Sequence, residues 1–214
     1  MTVSEPVASA RRSSLQDHGG GPEGNERLTA TTGLVLLLLF AAEGVTILEL
    51  DTLRYWHYFI GFLLVGPVLV KLGSTIYRFS RYYTHHPDYV RKGPPMILLR
   101  VLGPFVVLTS LGVIGTGVAL GFAATSTVFG LPMLFLHKAT FVLWAGCMTI
   151  HVLVYIWRLP ALVSADFRRS RPGRAAAALG GRWLRWSVAV AGLGGGLVFA
   201  VLESPLSSGW HHRR

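Results

Sequence analysis

Five long apolar runs dominate this sequence and restrict the folds open to it. They lie at about 28–50, 53–79, 96–122, 131–157 and 183–202. Each run approaches or exceeds the ~20 residues that a helix needs to cross ~30 Å of hydrocarbon. Only 14% of the 214 residues are charged, whereas soluble domains carry about a quarter. The sequence therefore predicts an all-α integral membrane protein, a bundle of about five transmembrane helices.

The polar segments divide the chain around these runs. Residues 1–27 are polar and predicted to form a disordered cytoplasmic tail. Residues 28–160 hold the first four runs and are predicted to form a four-helix core. A basic cytoplasmic loop (161–182), a fifth helix (183–202) and an extracytoplasmic tail (203–214) follow. The first run begins too late and is too long for a signal peptide.

The basic residues cluster in the segments that are expected on one side of the membrane. They cluster before the first run, between the second and third, and between the fourth and fifth: Arg11, Arg12, Arg27, Arg78, Arg81, Arg91, Lys92, Arg100, Arg158, Arg168, Arg169, Arg171, Arg174, Arg182 and Arg185. The loop between the third and fourth runs has none. The positive-inside rule then predicts a plasma-membrane protein with its N-terminus in the cytoplasm and its C-terminus outside. Anionic lipid of the bilayer accounts for the net charge of +10, so no nucleic-acid partner is needed.

Three histidines lie inside the apolar runs: His57, His137 and His151. An ionisable side chain in hydrocarbon is costly, so each one indicates a functional site. His137 and His151 are 14 residues apart, which in a straight helix is about 3.9 turns and about 21 Å. They are therefore expected on one helix face, near opposite leaflets. The residue 14 positions after His57 is Lys71.

The second and fourth runs cross the membrane in the same direction, so their polar residues are level in pairs. His57 faces His137 near the outer surface, and Lys71 faces His151 near the inner surface. Neutral imidazole is a common axial ligand of haem iron, so the outer pair predicts a bis-histidine haem b. The inner pair leaves two interpretations open. Lys71 and His151 hold a second haem, or Lys71 is an ammonium that reaches the inner interface.

Cysteine usage limits the other metal chemistry. Cys147 is the only cysteine, which excludes disulfides and thiolate-held clusters within this chain. The sequence also lacks Cys-x-x-Cys-His, so any haem is held non-covalently.

Several charged residues near the ligands have two interpretations. Arg54 and Lys138 on the outer side, and Arg100 on the inner side, are candidates to bind haem propionates. They would otherwise be interfacial anchors. Glu43, inside the first run, is expected to pair with Lys138 or Arg54. Its alternative roles are proton transfer and a hydrogen bond to a quinone.

Three segments carry a family resemblance: Lys71-Leu-Gly-Ser-Thr-Ile-Tyr-Arg-Phe-Ser-Arg-Tyr-Tyr83, Arg91-Lys-Gly-Pro-Pro95 and His137-Lys-Ala-Thr-Phe-Val-Leu-Trp144. With the histidine spacing, they resemble the haem-b membrane cytochromes with a four-helix core, among them the membrane subunits of respiratory hydrogenases and formate dehydrogenases, and a group of small actinobacterial membrane proteins. The resemblance covers residues 30–160. It implies His57 and His137 as haem ligands and His151 as an inner one. Lys71 departs from the bis-histidine pattern, and the fifth helix lies outside the core.

The resemblance implies electron transfer between quinone, or a cytosolic donor, and an extracytoplasmic redox partner. Because the sequence shows no catalytic nucleophile or paired carboxylates, an electron-transfer subunit is expected, not an enzyme by itself. A proton- or ion-conducting transporter is the first alternative, although no internal repeat supports it. A membrane scaffold or assembly protein without haem is the second.

Overall fold

The computed structural model describes residues 21–92, 97–123, 127–161, 164 and 175–205. Most of the predicted N-terminal tail, most of the basic loop and nearly all of the C-terminal tail lie outside these residues. In chain order the elements are α1 (Gly21–Leu48), α2 (Leu50–Tyr83), α3 (Pro87–Lys92), α4 (Ile97–Phe122), β1 (Thr127–Val128), β2 (Leu131–Pro132), α5 (Met133–Tyr155) with a 3₁₀ turn (Ile156–Arg158), and α6 (Ala175–Glu203).

Five helices of the described chain are long and apolar enough to cross a membrane, as the sequence predicts. The spans are Gly24–Leu48, Leu50–Tyr83, Leu99–Phe122, Met133–Ala161 and Trp183–Glu203. Large apolar side chains on them remain exposed, as expected of helices in contact with lipid. The all-α class is thus confirmed, with one two-stranded antiparallel hairpin between α4 and α5.

Two helices begin earlier than their apolar runs. The start of α1 lies at Gly21, inside the predicted tail, because Asn25 Nδ2 donates to the Ser74 carbonyl of α2 at 3.0 Å. The start of α6 lies at Ala175, where four consecutive alanines extend the helix beyond its apolar part. Hydrophobicity marks the membrane-crossing part of a helix, and the helix itself continues while local propensity or contacts support it.

A tight link at Glu49 joins α1 to α2. The amides of Thr52 and Leu53 donate to the Glu49 carbonyl at 3.1 and 2.7 Å, and the backbone bends at Leu53. Such a short connection makes the two helices antiparallel neighbours. A residue before Glu49 on α1 is therefore level with one about as far after it on α2.

The hairpin of β1 and β2 joins α4 to α5 in the same way. Its tip has Phe129 and Gly130 at positive φ, and the Phe129 side chain is fully exposed. Further along, Trp144 Nε1 of α5 donates to Ser110 Oγ of α4 at 3.2 Å. The chain thus contains two antiparallel helix pairs, α1–α2 and α4–α5.

Close glycine contacts pack α6 against α2. A Cβ added at Gly66 would overlap the carbonyl oxygen of Gly192, and one at Gly196 would overlap the Leu63 carbonyl. Because Pro67 has no N–H, it leaves that Leu63 oxygen without its helical donor, and Gly196 packs against it. The fifth spanning helix, which the sequence places outside the four-helix core, thus packs closely against α2.

The two helix pairs meet around a small apolar core. Leu36 of α1 and Leu64, Val68 and Leu72 of α2 form it, and Val107 and Ile114 of α4 are among the partly buried residues against it. Between α1 and α5, the rings of Phe40 and Trp144 lie 4.6 Å apart. The core therefore contains residues of both helix pairs. The N-terminal ends of α2 and α5 lie at the same level of the bundle.

The connection from α2 to α4 contains the short helix α3. Its Tyr89 is buried at 5% exposure, with its ring 6.2 Å from Tyr77. Burial raises the pKa of the Tyr89 hydroxyl, and the nearby Tyr77 raises it further. His86 packs against the same ring at 5.7 Å, whereas His85 is exposed.

Candidate functional site

His57 of α2 lies against two polar residues of α1. Its Nδ1 is 2.9 Å from Glu43 Oε1 and 3.1 Å from Thr46 Oγ1. The Thr46 hydroxyl in turn donates to the Glu43 carbonyl at 2.6 Å. Glu43 and His57 lie on either side of the link at Glu49, which explains why they are level. The side chain of His57 is 24% exposed and that of Glu43 is 13% exposed, so the contact between them is largely buried.

His137 of α5 has an equivalent arrangement with α4. Its Nδ1 is 3.1 Å from Thr116 Oγ1, and Thr116 lies 3.1 Å from Thr140 Oγ1. Glycine at position 117 leaves space for this ring, because a Cβ there would lie 3.0 Å from His137 Cε1. Each helix pair thus supplies one histidine and the polar residue that orients it.

The two imidazoles face one another between the pairs. Their ring centres are 6.5 Å apart and the ring planes make an angle of 73°. The sequence predicts this meeting from the level positions of His57 and His137. The structure brings these two residues together.

The neighbours of each Nδ1 favour one tautomer of the ring. The Glu43 carboxylate only accepts, and Thr46 donates its own hydroxyl hydrogen to the Glu43 carbonyl, so the surroundings of His57 Nδ1 favour a hydrogen on that nitrogen. Thr116 donates its hydroxyl hydrogen to the Gly112 carbonyl at 2.7 Å, which leaves its oxygen to accept from His137 Nδ1. With the hydrogen on Nδ1, the lone pair of each ring lies on Nε2, the nitrogen that would then be able to bind a metal. Among the described residues, neither Nε2 has a side-chain partner.

The inner pair is arranged differently. Lys71 Nζ donates to the Thr29 carbonyl of α1 at 2.7 Å and lies against Gly33, where a Cβ would be 2.9 Å from Nζ. His151 stacks on Tyr155 of its own helix, with ring centres 4.9 Å apart. A ligand role for Lys71 or His151, and the alternative role of Lys71 as an ammonium that reaches the inner interface, stay predictions.

Of the three basic residues expected to bind haem propionates, one forms an ion pair and two are exposed. Arg54 pairs with Asp51 of its own helix at 3.3 Å, while Lys138 and Arg100 are exposed. Glu43 pairs with His57, so the expected pairing with Arg54 or Lys138 is wrong. The link at Glu49 is responsible, because it places His57 directly opposite Glu43. Propionate binding by Arg54, Lys138 and Arg100 stays a prediction.

No protein-family model matches this chain, and no curated protein or solved structure gives a match. The described residues also contain no cluster of three or more His, Cys, Asp or Glu side chains that could hold a metal ion by themselves.

Sequence reasoning missed Thr46 and Thr116 as partners of the histidines. A signal for both was present. Each threonine lies on the helix before its histidine, on the other side of the short link that joins the two helices. The links were too weakly patterned in the sequence for their turning points to be assigned.

Proposed function

We propose that this chain is a b-type cytochrome of the plasma membrane that holds one haem b between His57 and His137. It transfers electrons between quinone, or a cytosolic donor, and an extracytoplasmic redox partner. Its N-terminus lies in the cytoplasm and its C-terminus outside. The observation that carries the proposal is the facing pair of imidazoles, each with its Nδ1 hydrogen-bonded to a threonine hydroxyl of the neighbouring helix.

The separation of the two rings fits a shared iron. Two imidazoles that held one iron between them would have ring centres about 6 Å apart, given metal–nitrogen bonds of about 2 Å and about 1 Å from each ring nitrogen to its ring centre. The observed separation is 6.5 Å. Gly117 provides space beside one ring and Gly61 space beside Glu43, where a Cβ would lie 3.5 Å from Oε1.

The chain's own residues bind and orient the group. His57 and His137 would be its axial ligands, and Glu43, Thr46 and Thr116 keep the two rings in one orientation and one tautomer. The apolar helices exclude water from the site. Haem b supplies a reversible one-electron change at its iron when bound.

Absorption spectroscopy of the purified protein tests this proposal. We expect a Soret band and a reduced α-band of low-spin haem b, with about one haem per chain in a pyridine haemochrome assay. His57→Ala and His137→Ala should each abolish these bands. His151→Ala is the matched control, on the same helix as His137, and should keep them.

Two results would contradict the proposal. A colourless protein from haem-replete cells would favour the scaffold or transporter alternatives. Loss of all haem in His151→Ala, with haem retained in His57→Ala, would move the site to the inner half of the bundle.

A further inference from the structure

The two proposed ligands differ in the chemistry of the side chains beside their Nδ1 atoms. His57 Nδ1 lies 2.9 Å from the carboxylate of Glu43, whereas His137 Nδ1 lies 3.1 Å from the neutral hydroxyl of Thr116. Neither partner lies on the same helix as the histidine it contacts. The site is therefore electrostatically asymmetric, with the negative charge on the His57 side only.

The position of Glu43 directs its carboxylate to His57. The side chain is 13% exposed, and its Oε2 lies 3.4 Å from the Thr46 hydroxyl. Among the described residues no lysine or arginine forms an ion pair with it; Arg54, the nearest in sequence, pairs with Asp51. A largely buried carboxylate is costly without a partner, so its 2.9 Å contact with His57 Nδ1 is its main compensation.

A carboxylate behind a metal-bound imidazole has a known chemical effect. It fixes the ring orientation and tautomer and raises the basicity of the ligating nitrogen. A more basic axial ligand stabilises the oxidised iron more than the reduced iron. A neutral hydroxyl partner gives a smaller effect of the same kind.

We propose that Glu43 is a positioning residue that holds His57 with its hydrogen on Nδ1 and keeps the haem in a more oxidised, lower-potential state. This inference rests on the proposed function, because it concerns the same haem. It goes further in assigning unequal roles to the two ligands. The ligating nitrogen of His57 is the more basic one and gives more electron density to the iron.

Redox titration of Glu43→Gln tests the inference. Glutamine keeps the shape of the side chain and its oxygen still accepts from Nδ1, so the haem should be retained. At a fixed ambient potential we expect the ratio of reduced to oxidised haem to rise about tenfold, a shift of about 59 mV for a one-electron couple. Glu49→Gln removes an exposed charge at the nearby link and should leave the ratio unchanged.

The outcomes separate the two proposals. If the wild-type protein lacks haem, the proposed function fails and this inference with it. If the wild type binds haem and Glu43→Gln titrates like it, or Glu49→Gln shifts equally, only the role of Glu43 is overturned.

A second measurement does not depend on the folding of a variant. Nitrogen-15 NMR of full-length, haem-free wild-type protein reports the tautomer of each histidine. We expect His57 with its hydrogen on Nδ1. A hydrogen on Nε2 of His57 would contradict the positioning role of Glu43.

Discussion

Thr116 connects α4 to the ring of His137, and its hydroxyl has a defined direction because it donates to the Gly112 carbonyl. Valine has nearly the same shape but cannot accept from Nδ1. We expect Thr116→Val to weaken haem affinity about 10- to 100-fold, the usual effect of losing the partner of a metal-bound histidine. Haem transfer to an apo-globin measures this. Thr149→Val is the control, since exposed Thr149 bonds only the Ala145 carbonyl; an equal loss there would contradict the role of Thr116.

Lys71 offers a second test at the scale of single residues. Its ammonium donates to the Thr29 carbonyl, and no described acidic residue pairs with it. Methionine replaces the side chain without a charge, so we expect Lys71→Met to change the stability by less than about 1 kcal/mol. The haem content per chain should stay the same. A fall from two haems to one would instead show that Lys71 is a ligand.

Residue spacing predicted part of this site. The level positions of His57 and His137 followed from their similar depths in two apolar runs that cross the membrane in the same direction. The partner of His57 did not follow, because it depends on where the chain turns. A link shifted by two residues would place a different α1 residue opposite His57.

At the scale of elements, the contact between α2 and α6 depends on glycine. A Cβ at Gly66 would overlap backbone atoms of α6, which cannot move as a flexible side chain can. We expect Gly66→Ala to lower the free energy of unfolding by about 2 kcal/mol, as overpacking of a close contact does. Thermal unfolding in detergent measures the change.

Gly73 supplies the matched control for this prediction. It lies on the same helix, and a Cβ there meets no atom within 4 Å. Gly73→Ala should leave the melting temperature unchanged or raise it slightly, since alanine favours helix. Equal melting temperatures for Gly66→Ala and Gly73→Ala would contradict the importance of the α2–α6 contact.

The helices themselves were predictable, but their partners were less so. Each span is a continuous apolar run, which one segment of sequence reveals. The packing of α6 on α2 depends on matching Gly66 with Gly192 and Gly196 across more than a hundred residues of sequence. No periodicity within either helix specifies that match.

At the scale of the whole molecule, the basic loops predict one orientation in the membrane. In a Cys147→Ala background, a cysteine at Phe129 lies on the exposed hairpin tip and one at His85 lies in the exposed connection after α2. We expect a membrane-impermeant maleimide to label Phe129→Cys in intact cells, and His85→Cys only after permeabilisation. The reverse pattern would invert the proposed topology and place the His57 and His137 pair near the cytoplasm.

The glycine contact of α2 also has a consequence for biosynthesis. The groove at Gly66 is closed by α6, which leaves the ribosome after all the other described helices. Until then, α2 presents the Leu63 carbonyl, which lacks its helical donor, to the surrounding lipid or to the insertion machinery. The helix that carries His57 thus completes its packing only at a late stage of translation, and a chain interrupted before Ala175 would leave that groove open.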